Sequence, residues 1–195
     1  MKSVLISIQP KWCELIASGK KTVEVRKTRP KIDTPFKCYI YCTQGKTLDD
    51  ILTFAEYKNG EYMGDYYANG NVIGEFVCKT ISDVFNPEIT IQLFEDGKLD
   101  KETFGEIQKE FRDIRKDTAL TEDEIEEYLN GKDGYGWHIS DLVIYDKPKE
   151  LSDFRKYISF FDGESISELE ESGINNIRLK RPPQSWCYVE GVEGK

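Results

Sequence analysis

Lys21, Glu24 and Arg26 set two cations and a carboxylate within six residues of chain. Each type offers a distinct chemistry. The planar guanidinium of Arg26 can clamp a phosphate or carboxylate through two parallel hydrogen bonds. Glu24 can hydrogen-bond a base edge or carry a proton. Lys21, if desolvated near Lys20 and Arg26, would be pushed towards a neutral, reactive amine. A purely structural reading uses the same groups. In it Lys21 complements the C-terminus of the preceding helix, and Glu24 pairs with Arg26 along one strand face.

The elements that must hold these groups are legible around them. Pro10 to Ser18 has proline at a first helical position and Gly19 just past the end. Trp12, Leu15 and Ile16 share one face of that helix by spacing. Thr22 to Arg26 then alternates as a half-buried strand does. Val23 and Val25 are expected to face the core, with Thr22, Glu24 and Arg26 on the other side. Val4 to Ile8 and Cys38 to Thr43 read as flanking strands.

The octet Gly19-Lys20-Lys21-Thr22-Val23-Glu24-Val25-Arg26 fits Gly-x-Lys-x-x-Glu-x-Arg. With strand, helix and strand around it, the chain resembles the ASCH domain family, a relative of the PUA-like RNA-binding folds. The resemblance is specific over the first 45 residues and looser beyond them. It implies an α+β fold, a PUA-like mixed β-barrel with flanking helices. It also implies a cleft for RNA, a nucleoside or a nucleotide beside the motif. Some small ASCH proteins are amidohydrolases acting on N4-acetylcytidine, with the motif lysine, a nearby threonine and a distant glutamate. Here Lys21 is present, Glu24 occupies the threonine position, and Glu75 is the candidate for the distant carboxylate. Were the protein an enzyme, Lys21 and Glu24 would be its catalytic pair. Ribonuclease activity, known in character for other members, is a further alternative.

Composition narrows the classes. A chain of 195 residues fits one domain, which at this size buries roughly 70% of its unfolded surface. No stretch approaches the roughly 20 apolar residues of a membrane helix, and the N-terminus lacks a signal-peptide pattern, so a cytoplasmic protein is expected. Five cysteines without close pairs point to buried thiols, neither a disulfide framework nor a zinc site. His138 is the only histidine, so His-rich metal centres are excluded and a satisfied structural role fits it best. No metal and no cofactor is implied.

The net charge of −9 is unevenly spread. Residues 1–40 hold nine Lys/Arg against three Asp/Glu, residues 175–195 four against two, and the middle 14 against 31. Basic termini around an acidic body suit a site for an anionic ligand. The expected ligand-binding set is Lys20, Lys21, Glu24 and Arg26, joined by Gln184 and Ser185 reading a base edge and Trp186 stacking on it. Trp12, Tyr41, Tyr135, Trp137 and Tyr188 could also offer stacking faces, but most of these are expected in the core, and Trp186 is the exception.

Along the rest of the chain, residues 46–70 show no clean period. Asn69-Gly70 marks a turn before a long strand from Val72, in which Gly74 signals a bulge or close backbone approach. Asp100 to Asp117 is amphipathic, and Thr121 with Glu124 forms a capping box for a further helix ending at Asn130-Gly131. Residues 131–136 read as a flexible connector, 137–145 as a strand, 162–176 as acidic and turn-rich, and 185–189 as a last strand. The expectation is a single domain, 1–195, with an acidic helical insert at 86–136 that could be removed. A protein-interaction module on that insert is the third functional class.

Overall fold

The computed structural model describes residues 2–157 and 178–191; the acidic 162–176 stretch lies outside them. The fold is α+β. Strand β1 (Lys2–Ile8) leads into helix α1 (Pro10–Ala17), β2 (Val23–Arg26) and β3 (Phe36–Cys42). Next come β4 (Thr53–Lys58), β5 (Glu61–Tyr67) and β6 (Val72–Val84). Helices α2 (Pro87–Glu95), α3 (Lys101–Thr118) and α4 (Glu122–Leu129) precede β7 (Gly134–Lys149) and β8 (Trp186–Glu190). Hydrogen bonding runs in the order β2-β7-β6-β3-β1-β8, with β4-β5 a separate two-stranded sheet. The larger sheet is open, so the expected barrel is corrected to an unclosed mixed sheet. No helix among the described residues is long and apolar enough to cross a membrane.

The chain divides into two compact units, one of Met1–Glu14, Phe36–Val77 and Leu142–Lys195, the other of Leu15–Pro35 and Cys78–Asp141. In the first, β1 pairs parallel with β3 and antiparallel with β8. Its core gathers Leu5, Tyr39, Tyr41, Val72, Phe154, Leu179 and Val189. Gly74 meets the carbonyl of Val143 so closely that any side chain would collide, which bears out the expected close approach.

The second unit is built on β2, the helices α3 and α4, and the adjoining ends of β6 and β7. Phe111, Ile114, Ile125 and Leu129 form one buried cluster with Val23, Val25 and Val84. Asp100 caps α3 by accepting from the amides of Glu102 and Thr103. Thr121 and Glu124 form the anticipated capping box on α4, and Asn130 closes that helix in the left-handed region at φ 55°. Helix α2 escaped the sequence reading. Its signals are Asn86, which accepts from the Ile89 amide, and Pro87 at the first helical position. Phe94 of α2 stacks on Phe104 of α3 with ring centroids 4.3 Å apart.

Three further expectations change. The buried face of α1 is formed by Pro10, Cys13 and Ile16, whereas Trp12 and Leu15 are only half-buried. The supposed connector becomes strand from Gly134 onward, because Tyr135 and Gly136 pair with Arg26 and Val25. The 46–70 region holds a hairpin whose Asn59-Gly60 turn has φ of 52° and 83°, the left-handed pair that Asn-Gly favours.

The thiols follow the sequence reading: Cys13, Cys38, Cys42 and Cys78 are buried and Cys187 half-buried, all free. Burial pushes Cys78 and Cys187 up to about 11. A disulfide-exchange reagent at neutral pH should therefore react slowly with the native protein and quickly with five thiols in denaturant. Fast labelling of the native protein would contradict this packing.

Candidate ligand-binding site

The motif begins by ending α1. Gly19 adopts φ 72°, a conformation that only glycine takes without cost. The amides of Gly19, Lys20 and Lys21 then donate to the last carbonyls of α1, at Ile16 and Leu15, over 2.9–3.0 Å. Lys20 is left exposed, while Lys21 turns inward and is only 2% exposed.

Inside, the Lys21 ammonium donates to the Thr118 carbonyl at 2.6 Å. The neighbouring Asp117 carbonyl accepts from the Thr22 amide at 2.8 Å. These are terminal carbonyls of α3, which have no partner inside their own helix and sit at its negative end. The purely structural alternative puts Lys21 at the C-terminus of α1. The structure corrects the helix to α3, because the α1 carbonyls are already taken by the motif's own amides.

Glu24 bridges the two cations, with one oxygen 3.3 Å from the Lys21 ammonium and the other 2.9 Å from Arg26. Glu24 and Arg26 are each 6% exposed. Burial, the largest influence, holds the Lys21 amine below the usual lysine range. Glu24 works against that shift, and the nearby Arg26 charge adds to it. Lys21, Glu24 and Arg26 thus form a buried ionic network on β2, tied to the end of α3 through Lys21. Val23 and Val25 point the other way into the core, as their alternation predicts.

Immediately after Arg26 the chain opens into a cleft of about 610 Å3. It is lined by residues 27–34 together with Ile81 and Tyr135. The lining brings Lys27, Arg29 and Lys31 together against one carboxylate, Asp33. Tyr135 stands opposite Arg26 in the β2-β7 ladder, so the two share a sheet face. The Arg29 guanidinium lies 5.6 Å from the centre of the Tyr135 ring, within range of a cation-π contact. Such a lining can take an anionic group on its cations and a planar ring on its tyrosine. The sequence signal for it is the run Arg26-Lys27-Thr28-Arg29-Pro30-Lys31 within the basic N-terminal segment.

Of the remaining candidates, Gln184, Ser185 and Trp186 lie in the first unit, Gln184 exposed and the other two half-buried. The Ser185 carbonyl accepts from the Ser7 amide at 2.8 Å. Trp186 packs edge-on against Tyr188, with centroids 5.3 Å apart. Trp137 is fully buried. His138 is hydrogen-bonded to the Ser82 hydroxyl at 2.8 Å, so its ring has a partner.

Glu75 also lies in the first unit, with its oxygens engaged by Lys37 and by the Tyr145 hydroxyl, each at 2.7 Å. Burial alone would raise the Glu75 carboxyl, but these two donors outweigh it and hold the group below its ordinary range. Among the described residues no cluster of His, Cys, Asp and Glu could hold a metal ion.

No curated protein matches the chain. It is similar to the crystal structure of the ASCH protein from Zymomonas mobilis, at 18% identity and a TM-score of 0.48, over 96% of this chain and 87% of that one. It is equally similar to a point mutant of the same protein, at 19% identity and a TM-score of 0.48, over 97% and 91% of the respective chains. Residues 6–145 match the ASCH domain. The chain therefore belongs to the ASCH domain family.

Proposed function

We propose that the domain binds single-stranded RNA or a nucleotide-like ligand, with Tyr135 stacking on a base and Lys27, Arg29 and Lys31 contacting phosphates. One observation carries the reading. A chain of net charge −9 assembles three cations and an aromatic ring in one cleft, the combination used for unpaired bases. In this reading Lys21, Glu24 and Arg26 bind the end of α3 to β2 and fix the strand from which the basic segment departs. Exposed Lys20 extends the positive surface. In the first unit Gln184, Ser185 and Trp186 form a second set of ligand contacts, tested by their own substitutions. The domain is one unit of function, residues 1–195, with 86–136 inserted in it.

Tyr135→Ala should weaken binding of a short oligouridylate by roughly 5- to 150-fold, as the loss of one base-aromatic stack of about 1–3 kcal/mol requires. Tyr135→Phe, which keeps the ring, should bind within about twofold of the unmutated protein. Equal affinity for all three proteins would overturn the assignment of the cleft.

Turnover is the weaker reading. The buried, lowered Lys21 amine favours it, but that nitrogen is committed to Thr118 and Glu24. We expect no cytidine release from N4-acetylcytidine above background. Release that vanishes in Lys21→Arg would reverse the ranking, because arginine keeps the charge without giving up a proton.

A further inference from the structure

The β4-β5 hairpin presents one face made of three cross-strand pairs, Thr53 with Tyr67, Ala55 with Asp65, and Tyr57 with Tyr62. The opposite face is the packed one. There Phe54 lies against Tyr66, and the Tyr66 hydroxyl donates to the Tyr145 carbonyl at 2.8 Å. A register shift after Glu56 sets Tyr57 directly across from Tyr62. Their rings meet edge to face with centroids 6.0 Å apart. The Tyr62 hydroxyl donates to Asp65 at 3.0 Å and thereby holds a carboxylate beside the rings. Tyr57, Tyr62 and Tyr67 are all more than half exposed. Large aromatic rings left in water on an ordered sheet face mark a surface with a partner.

Charge decides which partner. Residues 46–67 carry five Asp/Glu against two Lys, so phosphate is repelled here while a cation is attracted. Tyrosine faces beside a carboxylate are the surroundings that a guanidinium or ammonium prefers. The hairpin is a sheet of only two strands, so an extended peptide can also pair along its edge. We propose that this face is a docking surface for an arginine- or lysine-bearing protein segment, its cation seated between Tyr57, Tyr62 and Asp65. Its residues belong to the first unit and those of the proposed RNA cleft to the second.

The test is fluorescence anisotropy of a labelled peptide of alternating arginine and glycine with the full-length chain, at about 150 mM salt to screen long-range attraction. Joint replacement Tyr57→Ala and Tyr62→Ala should weaken binding about tenfold, two exposed cation-π contacts together. The corresponding pair of Tyr→Phe changes should stay within about twofold, since the π faces remain. Asp65→Asn should also weaken binding, and none of these variants should alter oligouridylate affinity. Unchanged peptide binding in the double alanine variant would show mere attraction to an acidic protein and overturn the proposal. So would an equal loss in the phenylalanine pair.

Discussion

Replacing Glu24 by alanine should remove about 3–5 kcal/mol of stability, the loss typical when one partner of a buried ion pair is deleted. The carboxylate lies between the Lys21 ammonium and the Arg26 guanidinium, both almost fully shielded from water. Without it, two like charges remain close together in a poorly solvated site. Such a loss is large beside the roughly 5–15 kcal/mol that holds an ordinary domain folded. Glu24→Gln, which keeps shape and an acceptor oxygen but not the charge, should lose less. Urea unfolding followed by circular dichroism measures both. A loss below about 1 kcal/mol for Glu24→Ala would place the carboxylate among weak surface pairs and remove the argument that the motif is a structural clamp.

Deleting residues 86–136 and closing the gap with a short Gly/Ser linker should abolish cooperative folding of the second unit. The segment supplies Phe111, Ile114, Ile125 and Leu129, which cover Val23, Val25 and Val84. It also carries the Thr118 carbonyl to which Lys21 is bonded. Truncating one buried aromatic or large aliphatic side chain costs about 2–5 kcal/mol, and the deletion removes all four at once. The sequence reading expected the opposite, a removable insert, because α3 and α4 carry their own caps. Caps fix where a helix starts and stops; they do not say what its apolar face packs against. A deletion product that melts cooperatively and retains its β signal at 25 °C (about the reference temperature of these energies) would contradict the shared core.

The features read correctly from sequence were local ones. Thr121 with Glu124, and Gly19 after α1, each declare a helix end through a specific hydrogen bond or backbone conformation. The alternation of Val23 and Val25 fixed the core side of β2 for the same reason. What escaped was whatever depended on distant partners. Residue types alone could not reveal that Lys21 reaches α3 and not α1, since both helices offer a terminal carbonyl. Nor could alternation show that the charged face of β2 is buried as deeply as the apolar face. The hairpin was hidden because its exposed face is aromatic and its bulge at Glu56-Tyr57 breaks the period, although Asn59-Gly60 was there to be read. The cleft is not legible in the motif because its cations follow the motif strand instead of lying within it.

The central claim, that the segment after the motif contacts RNA phosphates, is tested most directly by the salt dependence of oligouridylate binding. Three phosphate contacts imply a slope of about −2 in log affinity against log salt, or roughly a twentyfold loss between about 50 and 200 mM. Simultaneous Lys27→Ala, Arg29→Ala and Lys31→Ala, all on exposed side chains, should bring that slope close to zero and leave the unfolding transition in place. A variant that binds with the unmutated slope, or an unmutated protein whose affinity does not respond to salt, would contradict the account.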